Sequence, residues 1–77
     1  MELRWVSRGT VLADIDGRTL RVTGEALVDH NPDYLIYSRY INSWEDGTPL
    51  VGQEKQEVLE QVVAEAAEKN WIFEIQQ

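Results

Sequence analysis

The sequence predicts an α+β fold: a small, mostly antiparallel sheet of four to five strands, with one C-terminal amphipathic helix before the last strand. Three observations carry that prediction. Apolar and polar residues alternate in short runs through the first half, as half-buried strands require. An Asp-Gly pair at Asp16–Gly17 separates two such runs, the chemistry of a tight hairpin turn. From Gln53 the apolar spacing changes to that of a helix, and it returns to alternation in the closing "WIFEI".

Each element can be justified in order. "ELRWVS" sets Leu3 and Trp5 on one strand face, and "SRG" with Gly9 reads as a bulge or tight turn. "TVLADI" alternates Val11, Ala13 and Ile15 against Leu12 and Asp14, and "RTLRVTG" sends Leu20 and Val22 inward and Arg21 outward. With Asp16 and Gly17 in a type I′ turn, these two runs predict a β-hairpin over Val11–Thr23, after which Gly24 ends the strand. "NPD" is a turn fixed at Pro32. "YLIYSRYI", rich in aromatic and β-branched types, predicts a strand over Tyr34–Ile41. One of its faces carries Tyr34, Ile36, Ser38 and Tyr40, the other Leu35, Tyr37, Arg39 and Ile41, and neither is cleanly apolar. "NSWEDGTP" has a loop composition.

Val58, Leu59, Val62, Val63 and Ala66 form one helical stripe, surrounded by Glu54, Glu57, Glu60, Gln61, Glu65 and Glu68. Glu54 and Glu57 at the start and Lys69 at the end match the helix dipole, and Asn70 can take the left-handed conformation that stops a helix. Trp71, Phe73 and Ile75 then share a strand face. A lone helix cannot bury its stripe by itself, so it must lie across one face of the sheet. The predicted core is Leu3, Trp5, Leu20, Val22, Leu59, Val62, Val63, Trp71 and Phe73, and the other sheet face is left to solvent or a partner.

The totals bound what this chain does. Its 77 residues make one domain, 1–77, and no cysteine offers a disulfide or a thiolate metal site. No apolar run approaches the roughly 18–20 residues of a membrane span, and "MELRWVSRG" has no signal-peptide pattern, so the expectation is a cytoplasmic protein that does not engage a membrane. Fourteen acids against seven bases give a net charge of −7, which disfavours a nucleic-acid partner and suits a basic protein partner. Acidity for solubility alone remains the plainer alternative.

Sites for chemistry are sparse. His30 is the only histidine, and in "VDHNPD" the turn-forming Asp29, Asn31, Pro32 and Asp33 account for the segment without a metal or a reaction. "DIDG" opens like a calcium loop but continues into a strand without the later oxygen ligands. No catalytic, cofactor-binding or metal-binding residue is assigned, and the expectation is that the chain is not an enzyme. The segment Tyr34–Pro49 holds all three tyrosines and one of the three tryptophans. Tyrosine and tryptophan give large contact area at low conformational cost and concentrate at binding hot spots. Tyr37, Tyr40, Asn42, Trp44, Glu45 and Asp46 are therefore the candidate partner-binding residues. The competing reading keeps Tyr37 and Tyr40 as ordinary sheet surface and folds Trp44 back as a lid on the core.

Taken together, "RGTV…DGRTLRVTGEAL…YLIYSRYINSWEDGTP…VLEQVVAEAAEKNWIFEI" resembles the family called immunity protein 74. The more specific pieces are Arg8–Gly9, Gly24–Glu25, the Tyr40–Ile41–Trp44 run with Pro49, and the terminal helix and strand. In the family pattern the proline stands closer to the tryptophan; here "EDGT" separates them. The resemblance implies a non-catalytic antidote that neutralises one bacterial toxin by covering its active site. Three other classes stand beside it: a small homodimeric scaffold, a ligand-binding protein or enzyme using Asp29, His30 and Tyr34, and an RNA-binding sheet.

Overall fold

Five strands and one helix follow the predicted order in the computed structural model, which describes residues 1–77. The strands are Glu2–Ser7 (β1), Thr10–Ile15 (β2), Arg18–Ala26 (β3), Tyr34–Tyr37 (β4) and Phe73–Gln76 (β5), and the helix is Gly52–Glu68 (α1). They form one sheet in the order β1-β2-β3-β4-β5, antiparallel except for the parallel β4–β5 pair that the α1 crossover makes possible.

Asp16 and Gly17 have φ of 50° and 80°, the two positive values of a type I′ turn, and they close Ile15 onto Arg18. Across β1, β2 and β3 the register aligns Leu3, Ala13 and Leu20 in one row and Trp5, Val11 and Val22 in the next. These rows face α1, whose stripe buries Val58, Leu59, Val62 and Ala66. Asn70 takes φ 64° just past the helix, where it stops the chain as its side chain permits. On the opposite face the rows are Arg4–Leu12–Arg21 and Glu25–Leu35–Glu74, and no helix covers them.

Three expectations are corrected. Gly24 does not end a strand; it lies within β3, at the point where the strand changes partner. Residues up to Thr23 pair with β2, and Gly24–Ala26 pair with β4. The Tyr34 ring lies over the position a Gly24 side chain would occupy, and its hydroxyl donates to the Val22 carbonyl at 2.7 Å. The second correction concerns the strand from Tyr34, which stops at Tyr37. Ser38–Tyr40 form a 3-10 turn closed by the Ile41 N–H to the Ser38 carbonyl at 3.0 Å, and this turn drops Ile41 into the core and turns Tyr40 out. Third, Trp5 is 41% exposed, because β1 is an edge strand, and Val63 and Trp71 are only half-buried. The segment after the 3-10 turn is a loop, as its composition indicates, closed as a small hairpin: Ser43 bridges Pro49, and the Trp44 and Leu50 N–H groups donate to Thr48 and Asn42.

The segment after β3 is held where its turn chemistry points. The Asp33 N–H donates to the Ile72 carbonyl at 2.8 Å, and its carboxylate accepts the Ile72 N–H at 2.7 Å. That double clamp ties the turn to the approach to β5.

Candidate partner-binding surface

The candidate residues fall on two joined elements, the end of β4 with its 3-10 turn and the Asn42–Leu50 hairpin. Tyr37 points to the uncovered sheet face, opposite Gln76 in the β4–β5 register. Its hydroxyl donates to Glu25 at 2.6 Å, and this bond to a carboxylate raises the Tyr37 phenol above its ordinary range. Tyr40, carried outward by the 3-10 turn, is 64% exposed and meets the Tyr37 ring edge-on at 6.3 Å. The Arg39 guanidinium stands 5.7 Å from the Tyr40 ring centre. Tyr37, Arg39, Tyr40 and Gln76 line a shallow cleft of about 210 Å³.

Asn42 braces this turn against the helix. Its Nδ2 donates to the Arg39 carbonyl at 3.2 Å, and its Oδ1 accepts from Lys55 at 3.4 Å. Trp44 is withdrawn from the surface as a lid on the core, with Arg18 stacked 4.0 Å over its ring. Its neighbours stay outside. The Glu45 N–H donates to the Thr19 carbonyl at 2.9 Å and its carboxylate meets Arg21 at 3.3 Å, which fixes the hairpin beside β3. Asp46 accepts the Thr48 N–H at 2.8 Å, and that bond, with help from Arg18, holds its carboxyl below the usual range. Tyr37 and Tyr40 are thus brought into contact, Asn42 is tied to their turn, and Glu45 and Asp46 occupy the exposed hairpin tip, with Trp44 as its buried root.

The His30 turn is consistent with its turn-forming composition. His30 Nδ1 lies 3.2 Å from Asp33, the Asp29 carboxylate accepts the Asn31 N–H at 3.3 Å, and no three His, Cys, Asp or Glu side chains converge. A second aromatic surface went unread in the sequence. Trp5 packs edge-on against Tyr34, Trp71 and Phe73 at 5.5 Å each. Beside it, Val63, Trp71, Ile72 and Phe73 line a groove of about 380 Å³. The signal was the adjacent Trp71–Ile72 pair after Asn70, since alternation can bury only one of two neighbours.

The comparison with protein families answers to this geometry. The family model described as immunity protein 74 matches residues 5–76, from β1 to the last strand. The chain belongs to the immunity protein 74 family. Comparison with curated proteins and with solved structures gives no match. Two pieces of the pattern that carried the resemblance meet in space: the Gly24 N–H donates to the Gly9 carbonyl at 3.0 Å and the Ala26 N–H to the Arg8 carbonyl at 2.7 Å. The third piece supplies the buried Ile41 and Trp44 and the exposed Tyr40. No helix is long and apolar enough to cross a membrane.

Proposed function

We propose that this immunity protein 74 member is a non-catalytic antidote that acts in the cytoplasm, binding one basic toxin domain and covering its active site. The observation that carries the reading is the Tyr37–Tyr40 pair with Arg39 at the edge of the uncovered sheet face. Two touching aromatic rings on a rigid frame lose little freedom on binding, so more of the contact energy appears as affinity. Tyr37 and Tyr40 form the anchor, Asn42 holds their turn, Glu45 and Asp46 give acidic complements, and Trp44 fixes the hairpin from beneath. The net charge of −7 speeds encounter with a basic partner.

The test begins by looking beside this gene for a large secreted protein, whose C-terminal domain is then the toxin candidate. Co-expression of the chain with that domain is expected to restore growth. Tyr40→Ala, at an exposed site, is expected to fold normally and to weaken binding by about 2 kcal/mol, as hot-spot truncation does. Full protection by folded Tyr37→Ala and Tyr40→Ala variants would move the binding surface elsewhere.

One observation favours a second reading, a homodimer. β1 is an edge strand with Trp5 and Val6 exposed, and an unpaired edge can accept a second copy. Light scattering on the purified chain separates the two, since a monomer excludes it.

A further inference from the structure

The groove between the β2–β3 turn and the first half of α1 is lined in part by Trp44, which carries the one buried side-chain donor in the fold that has no acceptor. Trp44 is 4% exposed, and its Nε1 is the only buried side-chain nitrogen or oxygen without a hydrogen-bond partner. An N–H removed from water and left unpaired destabilises the free chain, and such groups call for a reason. A group supplied from outside would be one.

The surroundings indicate its chemistry. Trp44 lines a groove of about 260 Å³ together with Asp16, Arg18, Glu54, Glu57 and the apolar Val58. Glu54 and Glu57 stand three residues apart on α1, and neighbours at that spacing share a side of the helix. None of the three carboxylates is in an ion pair. The groove's one cation, Arg18, lies on the Trp44 ring and, after the Thr48 hydrogen bonds, helps to hold the Asp46 carboxyl below its usual range. The positive end of α1 offsets about half a charge, so the groove remains anionic. A carbonyl oxygen is what the indole lacks, and a cation is what the carboxylates lack. A peptide bearing arginine supplies both at once, with a planar guanidinium suited to carboxylate pairs.

We propose that this groove receives an arginine-bearing backbone segment of the partner, its guanidinium on the Glu54–Glu57 side of the groove, in the field of Asp16, and a carbonyl accepting the Trp44 Nε1–H. The proposal rests on the antidote reading for its occupant, a basic toxin, and gives that toxin a second point of attachment beyond the tyrosine pair. Nε1 is closed to solvent in the free chain, so the carbonyl reaches it as a side chain rotates away. Arg18, half-buried and bonded to no carboxylate, covers the ring face and is one neighbour free to move with it.

The test uses the full chain labelled with ¹⁵N, whose three tryptophans give three indole N–H signals. Trp44→Phe assigns the relevant one. Capped Gly-Arg-Gly is titrated into the protein, with capped Gly-Leu-Gly and Gly-Glu-Gly as controls. The expected result is a saturable downfield shift of the Trp44 indole proton with the arginine peptide alone. Glu54→Gln with Glu57→Gln, both at exposed positions, weakens that titration by about threefold or more. An unmoved Trp44 signal, an equal shift with all three peptides, or a titration indifferent to the two glutamates overturns the proposal. Rescue of toxin-expressing cells is read separately: rescue with an unmoved indole removes the groove and keeps the antidote, and a shifted indole without rescue does the reverse.

Discussion

A methyl group on Gly24 would sit 1.9 Å from the Leu35 carbonyl oxygen and 2.8 Å from the Tyr34 ring, inside contact distance of both. On Gly9 the nearest atom, the Gly24 carbonyl oxygen, would be 3.5 Å away, an ordinary contact. Gly24→Ala is therefore expected to lose about 3 kcal/mol or more, and Gly9→Ala to stay within about 0.5 kcal/mol of the parent. A chain of 77 residues has only about 4–12 kcal/mol in total, so the first change shifts the urea midpoint by a large fraction and the second hardly at all. Equal midpoints would mean that β3 and β4 are not this close. The phenols give a second measurement at this scale. Burial lifts the Tyr34 phenol well above its ordinary range, and the bond to Glu25 lifts that of Tyr37. A raised phenol stabilises the fold fully below its unfolded value near 10, and that stability is lost as pH rises beyond it, so alkaline unfolding begins from about pH 10 upward. Glu25→Gln should bring the Tyr37 titration down toward the ordinary value and leave Tyr34 high, followed by phenolate absorbance. An unchanged titration would show that the Tyr37–Glu25 bond is not made.

Among the elements, those readable in the sequence are those whose cause is local. The β2–β3 hairpin follows from Asp16–Gly17 between alternating runs, and α1 from its stripe and the Asn70 stop, because each depends on residues within a few positions. The end of β4 was not readable. Alternation over Tyr34–Ile41 is compatible with one long strand, and the break at Ser38 comes from tertiary packing that draws Ile41 inward. The inside position of Gly24 was hidden for the same reason, since the change of partner in β3 depends on where β4 lies. The candidate site was legible in part: composition drew attention to Tyr37 and Tyr40, but only the 3-10 turn shows that they touch. Trp44 could be lid or contact from sequence, and its burial changes what a substitution reports. Trp44→Ala is expected to lose about 3–5 kcal/mol through the cavity it leaves and to open the Asn42–Leu50 hairpin to protease. The loss would appear in the urea midpoint without any partner present. A variant as stable as the parent would mean the indole is not a structural root, and Trp44→Ala would then become a direct test of binding.

On the scale of the whole molecule, fold and charge act together. The principal extents are 34 × 23 × 21 Å, so a field with the Debye length of about 30 Å found near 0.01 M salt extends across the entire protein. Near 1 M the length is about 3 Å, and only groups in direct contact still attract. The unpaired acids on α1 and at the β2–β3 turn contribute to the net charge of −7 and lie on a different element from the tyrosine pair. Long-range steering is therefore assigned to this acidic side, whose groove also meets an arginine on contact, and the aromatic anchor to the tyrosine pair on another part of the surface. Steering acts on encounter, whereas desolvated anchors act on release. For capture of a basic toxin, the association rate is expected to fall by about tenfold or more between those salt concentrations, with a much smaller change in the dissociation rate. Tyr40→Ala should show the opposite division, a faster release with nearly unchanged encounter. Stopped-flow measurements on both proteins across the salt series separate the two effects. An association rate flat in salt would rule out a basic partner while leaving the tyrosine anchor intact, and a Tyr40→Ala variant altered only in encounter would rule out the anchor while leaving the charge argument intact.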